Sequence, residues 1–280
     1  MKKCPLSGEV AHFYCRKPPA DYYVSKKMGL IFQSAMPSVP EMAVYVDSEY
    51  ESGTYKKYAV AAPLKYETFR RRLELIQKFV GRGRLLDVGC ASGFFMEMAL
   101  KCGFDAYGVE FSKQAIALAK PEIGQRITHG DVNSLDARHG EKFDVVVAFD
   151  VVEHTQDPVH FLQSLREILS PNGWLVLTTP DTGHFLRYLM GSHWPMLQPL
   201  QHTCLFSKKA MRQALRMAGF HDIHIENADK TLTLEYIMGQ ISIYNPLLVR
   251  MYRAVSCLLP MALRKKPFSY FNGAATAYFL

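Results

Sequence analysis

Beyond Glu235 the sequence contains no Asp or Glu, although it continues to residue 280. Over that stretch Arg250, Arg253, Arg264, Lys265 and Lys266 supply only positive charge, part of a formal net charge of +7. A run of about 20 apolar residues, long enough to span a bilayer, is also missing. Pro246, Arg250, Arg253 and Pro260 interrupt the one aliphatic-rich candidate. A packed helical insertion is the simpler reading of residues 230–268. A basic amphipathic helix pair, lying on an anionic membrane through 236–268 or covering a lipidic pocket, stays open as the alternative. Internal repeats and low-complexity tracts are absent, which excludes solenoid and disordered classes. The six cysteines, Cys4, Cys15, Cys90, Cys102, Cys204 and Cys257, lack the spacing of a disulfide framework, so a reducing compartment is expected. Met1-Lys2-Lys3 is followed by Pro5, Ser7, Gly8 and Glu9 rather than an apolar core. No secretory leader is expected, and the location read from this is cytoplasmic, with peripheral contact at the inner membrane face left open.

What is present is one large potential core: 49% of the 280 residues are hydrophobic. The most informative run is Leu85-Leu86-Asp87-Val88-Gly89-Cys90-Ala91-Ser92-Gly93-Phe94-Phe95, an aliphatic strand breaking into a glycine loop that opens a helix. Glycines there allow turn geometry and close backbone approach, and the helix start offers unpaired N–H groups, so the run reads as a nucleotide-type cradle. Its spacing is not the G-x-G-x-x-G of a pyrophosphate site. Asp87 beside the loop would repel a pyrophosphate and instead suits a ligand carrying an ammonium group.

Further landmarks follow in order. Ala106 to Glu110 reads as a second strand ending in an acid about 20 residues past the loop, where a carboxylate can accept both ribose hydroxyls. Ile127 to Val132 reads as a third strand delivering Asp131 toward a base. Phe143 to Asp150 is a nearly continuous apolar run, as expected of a central strand covered on both faces. Asp150, Glu153 and His154 lie at its carboxyl end, outside which ligands of open α/β sheets bind. Pro158 to Leu169 has helical spacing, Pro171-Asn172-Gly173 breaks it, and Trp174 to Pro180 is a fifth strand.

D-x-G-C-x-S-G after an aliphatic strand resembles motif I of class I S-adenosylmethionine-dependent methyltransferases, and the L-x-P-x-G before Trp174 also matches that family. The resemblance implies a Rossmann-like α/β fold with a seven-stranded, mainly parallel sheet in the order 3-2-1-4-5-7-6, and S-adenosyl-L-methionine as cofactor. It implies a cofactor site of Asp87, Gly89, Cys90, Gly93, Glu110, Asp131, Val132 and Asp150, in which the backbone of Val132 contacts the adenine ring. The expected activity is methyl transfer to a small-molecule acceptor at a hydroxyl oxygen, the acceptor being a sugar, a quinone precursor or lipid-like. An inactive cofactor-binding or membrane-surface protein retaining the fold is the competing class, since fold alone does not decide function.

His154 is the leading general base, because imidazole titrates near neutrality and stands just past the fourth strand. Asp150, Glu153 and His154 are also similar to the acid-x-x-E-H group of ubiquinone-type O-methyltransferases, which that resemblance associates with a divalent metal. The primary expectation is no metal. Residues 181–206 read as an acceptor lid, with His184, Trp194 and His202 as substrate contacts. Gln201-His202-x-x-x-Phe206-Ser207 resembles the E-H-x-x-x-F-S segment of the family, with Gln201 in place of the acid.

Outside the sheet, residues 1–62 resemble the zinc ribbon preceding some sugar and small-molecule methyltransferase domains, in Cys4-Pro5-Leu6-Ser7-Gly8, Tyr14-Cys15 and Val24 to Phe32. Ser7, Ser25 and Met28 stand where cysteines would be, so Cys4, His12 and Cys15 fall short of the four donors a structural zinc needs. A metal-free small β module is expected, followed by a methyltransferase domain over 63–280. Leu64, Phe69, Leu73, Ile76 and Phe79 predict a helix from Pro63 to Val80. Arg70, Arg71 and Arg72 are expected on its solvated face, not against nucleic acid. Asn272 to Leu280 reads as the seventh strand, pairing with Phe220 to Glu226 and with the fifth strand.

Overall fold

The computed structural model describes residues 1–35, 37, 39–51, 62–135, 142–232 and 268–279. In chain order the elements are β1 (His12–Lys17), β2 (Ala20–Val24), β3 (Ile31–Gln33), α1 (Val39–Glu51), α2 (Ala62–Val80), β4 (Arg84–Val88) and α3 (Phe94–Lys101). Next come β5 (Asp105–Glu110), α4 (Lys113–Ala117), α5 (Pro121–Gly124), β6 (Ile127–His129), β7 (Phe143–Phe149), α6 (Pro158–Glu167) and β8 (Leu169–Pro180). The last are α7 (Phe185–Met190), β9 (Cys204–Leu205), α8 (Lys208–Met217), β10 (His224–Leu232) and β11 (Phe268–Phe279).

The principal sheet has seven strands in the order β6-β5-β4-β7-β8-β11-β10. Numbered within the sheet alone, that is the expected 3-2-1-4-5-7-6. Five strands, β4 to β8, run parallel, while β11 is antiparallel to both β8 and β10. Val145 to Ala148 of β7 are fully buried, which explains their unbroken apolar character: both faces are covered by helices. Helices begin where the sequence supplies caps. Asp157 accepts backbone N–H bonds ahead of Pro158 at the start of α6, and Ser207 accepts from the Ala210 N–H at the start of α8. The buried stripe of α8, Ala210, Met211, Ala214 and Leu215, has the i, i+1, i+4, i+5 spacing of a helix lying on a core.

Three details differ from the sequence reading. β6 ends at His129, so Asp131 lies beyond the strand. β8 begins at Leu169, ahead of the Pro171-Asn172-Gly173 break. Asn172 takes a positive φ of 63° there, and the register with β7 slips between Phe143 and Val145. β10 begins at His224 and continues to Leu232, past the expected Glu226. Most of the expected helical insertion, residues 233–267, lies outside the described residues.

The N-terminal segment is not a detached unit. Its antiparallel sheet, β1-β2-β3-β9, takes its fourth strand from the lid, with Phe32 paired to Cys204 and Ile31 to Leu205. Cys4, Leu6, Met28 and Leu30 share one core with Leu177, Phe206 and Met211. The two ribbon-like turns persist without a sulfur set: Gly8 N donates to Cys4 O at 2.9 Å and Gly29 N donates to Ser25 O at 2.7 Å. Ser25 Oγ accepts from Met28 N at 3.0 Å and donates to the Glu9 carboxylate. Cys15 is buried in a second core together with Tyr22 and Trp194, and His12 is exposed. The sequence candidates for metal ligation therefore point to different environments.

Candidate functional site

The loop after β4 is shaped by residues that other side chains could not replace. Gly89 has φ +71°, and a Cβ there would stand 2.6 Å from Val151 Cγ2. Gly93 has φ +76° at the start of α3, and its added Cβ would stand 2.3 Å from Ile123 Cγ2. Ala91 is held at φ +50° without being glycine, a costly conformation that persists only where the surroundings enforce it. The loop closes a small cavity of about 50 Å³ whose walls include Asp87, Gly89, Phe69, Phe95 and Phe149.

Two acids converge on this loop. Asp87 is 3% exposed. Burial, and then the neighbouring Glu110, push its pKa well above the ordinary carboxylate value, while Arg72 opposes the shift. Glu110, at the end of β5, accepts from Ala91 N through Oε2 and from Ser112 N through Oε1, each at 2.8 Å. Burial raises its pKa too, and the backbone N–H groups of Ser112, Ala91 and Phe111 pull it back. Each carboxylate oxygen has a second acceptor direction. Cys90 lies behind the loop, its thiol pushed up by burial, and a Cβ on Gly108 would come within 2.6 Å of its sulfur. Its role there is packing and not reactivity.

Arg72 corrects the expectation of an arginine run facing solvent. Arg70 pairs with Glu67 and Glu74, and Arg71 with Glu67, but Arg72 turns inward, its guanidinium 4.5 Å from the Phe149 ring centroid and 5.8 Å from that of Phe69. Helical periodicity explains the split: Arg72 is three residues from Phe69 and four from Ile76, on the buried stripe of α2. That spacing was the available signal in the sequence.

Asp131 stands past β6 and is exposed. Its Oδ1 caps the turn Val132–Ser134, accepting from Asn133 N at 3.0 Å and Ser134 N at 3.1 Å. Val132 is buried in the core.

At the carboxyl end of β7, Asp150 adopts φ +57°, and its Oδ1 accepts from Thr178 Oγ1 at 2.9 Å. His154 Nδ1 lies 3.0 Å from the Gln201 carbonyl oxygen, which places the proton of the neutral ring on Nδ1 and leaves a lone pair on Nε2. Burial lowers the His154 pKa, with the Gln201 carbonyl and Asp150 opposing that shift. His202 Nδ1 lies 2.6 Å from the Met196 carbonyl oxygen, and its ring centroid is 4.9 Å from that of His154. Glu153 is 1% exposed and accepts from Thr179 Oγ1 at 2.9 Å. Ligand atoms of Glu153, His154 and His202 lie within 4.8 Å of one another, so these three, rather than Asp150, Glu153 and His154, form the metal-compatible group among the described residues.

The lid residues separate. His202 joins His154. Trp194 does not line this site: it is 4% exposed, packed with Tyr22, Leu197 and Leu205 beneath the N-terminal sheet, because β9 draws the lid into that sheet. His184 caps α7 by accepting from Leu186 N, and it lines an open groove of about 480 Å³ with Asp181, Phe185, Lys208 and Asn227.

A family model described as "Methyltransferase domain" matches residues 60–225. The chain is 34% identical over 119 residues to the ubiquinone biosynthesis O-methyltransferase of Cereibacter sphaeroides, an alignment covering 40% of this chain and 48% of that protein. The protein of the same name from Azorhizobium caulinodans is 38% identical over 101 residues, covering 34% of this chain and 40% of its own. The chain thus spans about half the length or less of these curated relatives. Among solved structures, a SAM-dependent methyltransferase from Archaeoglobus fulgidus superposes with a TM-score of 0.54 at 18% identity, covering 82% of this chain and all of the other. The 1,6-didemethyltoxoflavin N1-methyltransferase of Burkholderia thailandensis superposes with a TM-score of 0.51 at 16% identity, covering 78% and 92%. At those identities the superpositions establish the shared fold.

Proposed function

The chain belongs to the methyltransferase-domain family, and from that premise we propose that it transfers the methyl group of S-adenosyl-L-methionine to a hydroxyl oxygen of a small-molecule acceptor. The observation that carries the cofactor assignment is the buried Asp87 carboxylate facing a cavity walled by phenylalanines, with the Arg72 guanidinium opposing its charge. A carboxylate in such surroundings is costly unless a cation meets it. A zwitterionic amino-acid end satisfies both groups: Asp87 takes the ammonium and Arg72 the carboxylate. Glu110, already oriented by Ala91 N and Ser112 N, keeps acceptor directions for ribose hydroxyls. Gly89, Cys90 and Gly93 supply the backbone approach, and Asp131 and Val132 the base end. When bound, the cofactor supplies an electrophilic methyl group on sulfur. Titration calorimetry with S-adenosyl-L-methionine and its demethylated product tests this reading; a purified, folded chain that binds neither overturns it.

His154 takes the acceptor proton through Nε2. The Gln201 carbonyl fixes its tautomer, and Asp150 favours the ring once it is charged. His202 stands beside it on the acceptor side. The name of the sequence relatives, ubiquinone biosynthesis O-methyltransferase, supports an oxygen acceptor and, among sugar, quinone precursor and lipid-like classes, favours the quinone precursor. We assign the methyltransferase domain to 63–280 and an N-terminal module to 1–62, whose β3 braces the lid by pairing with β9.

A second reading of the acceptor side is favoured by the convergence of Glu153, His154 and His202. Both histidines point Nδ1 at a backbone carbonyl, which is how ligating imidazoles are commonly held. A divalent ion there would lower the pKa of a bound phenol. Turnover that survives exhaustive chelation excludes this reading and leaves His154 as the base.

A further inference from the structure

We propose that the outer face of α7, Phe185, Tyr188 and Leu189 together with Lys208 and Lys209, docks the protein on an anionic phospholipid surface. The inference rests on the acceptor reading above only in supposing that the groove beside it admits acceptor.

The three apolar residues fall at i, i+3 and i+4 and so share one side of α7. They are 64%, 68% and 78% exposed, more than any neighbouring large hydrophobic residue of the lid. The helix itself is held firmly. Met190 on its other side packs against the core of Trp194 and Leu197, and the Arg187 guanidinium donates to the Thr182 carbonyl. Three bulky side chains are therefore presented largely to solvent on an anchored turn, with ring contacts from the adjacent Arg187 and His184. Exposed apolar clusters of this kind mark interaction sites.

Charge identifies the partner. Between Asp181 and Asp222 the sequence has no Asp or Glu, while Arg187, Lys208, Lys209, Arg212 and Arg216 are all basic. Arg187 stacks 3.8 Å from the Tyr188 ring centroid, and Lys208 lines the groove that Phe185 borders. A tyrosine with a stacked arginine suits the headgroup level of a bilayer, while phenylalanine and leucine enter the acyl boundary. A second copy of the chain is the poorer occupant, since a self-paired interface would set these cations against each other. Docked this way, the 480 Å³ groove would open toward the membrane, a route for an acceptor that partitions into lipid.

The test is co-sedimentation of the full chain with vesicles of phosphatidylcholine alone and with vesicles containing phosphatidylglycerol. The expected result is binding to the anionic vesicles that weakens with salt and falls on the order of tenfold or more in the Phe185→Ser/Leu189→Ser variant. The variant should bind S-adenosyl-L-methionine as the unmodified chain does, which establishes that it is folded. Equal binding to both vesicle types, undiminished binding by the variant, or an unmodified chain that elutes as a dimer and becomes monomeric on substitution each overturns the proposal. Vesicle binding can fail while calorimetry still detects the cofactor, so failure here is distinct from failure of the methyltransferase reading.

Discussion

The Arg72 guanidinium sits 4.5 Å from the centroid of the Phe149 ring, and Phe69, three residues earlier on α2, lines the cavity together with Phe149. On the proposed cofactor reading, α2 serves binding as well as packing, and Arg72 is the residue that tests it. Replacing Arg72 by glutamine keeps the aliphatic stem and removes the charge. Cofactor affinity should fall about tenfold or more, as for a lost charge-assisted contact worth about 1.5–3 kcal/mol. Calorimetry on the variant checks this, and unchanged affinity places Arg72 outside the site.

Asp87 predicts a conflict between stability and binding. Its folded pKa is raised, so the folded chain holds the proton more tightly than the unfolded chain does. Stability is then greatest below the ordinary carboxylate value near pH 4 and declines as pH rises from there through the folded pKa. Asp87→Asn removes that decline. Melting of the cofactor-free variant should rise by about 2–4 °C for each kcal/mol recovered, while cofactor binding drops steeply. In the unmodified chain, affinity should increase as pH climbs through the raised Asp87 range, since an ammonium needs the ionised acid. Melting and calorimetry at several pH values measure both trends.

His154 carries the kinetic prediction. Burial lowers its pKa from the ordinary value near 6.5, so the ring is neutral and able to accept a proton throughout the neutral range. The acid limb of kcat/KM should lie below about pH 6.5. His154→Ala should lower turnover by about 10²- to 10⁴-fold with cofactor affinity intact. A near-normal rate removes it from the chemistry.

Strand β11 predicts the outcome of truncation. Ala275 to Phe279 pair with Thr179 to Leu175 on one side, and Ala275 to Tyr278 pair with Asn227 to His224 on the other. Deleting Ala275 to Leu280 strips backbone partners from two strands at once, and soluble expression should be lost. A truncate that is soluble and melts like the full chain contradicts this.

Much of the sheet was legible because its signals are local. The aliphatic run before Asp87, the acid at Glu110 and the apolar β7 each announce themselves within ten residues, and the strand order follows from the family pattern they resemble. Arg72 escaped because three successive arginines look alike until helical phase is applied to each. Trp194 was misplaced for a different reason. Its burial depends on Cys204 and Leu205 pairing with Phe32 and Ile31, a long-range association that no window of sequence contains. Asp131 was expected in a strand, but its side chain satisfies the N–H groups of the turn that follows, as aspartates after short strands often do.

The position of β11 between β8 and β10 also bears on biosynthesis. Both neighbours leave the ribosome before it does, each with an open hydrogen-bonding edge turned toward a slot that has not yet been filled. Unfilled edges of this kind recruit strands from other nascent chains. Yield in a heterologous host should therefore respond to translation rate, temperature and holdase chaperones more than the stability of the finished protein would suggest.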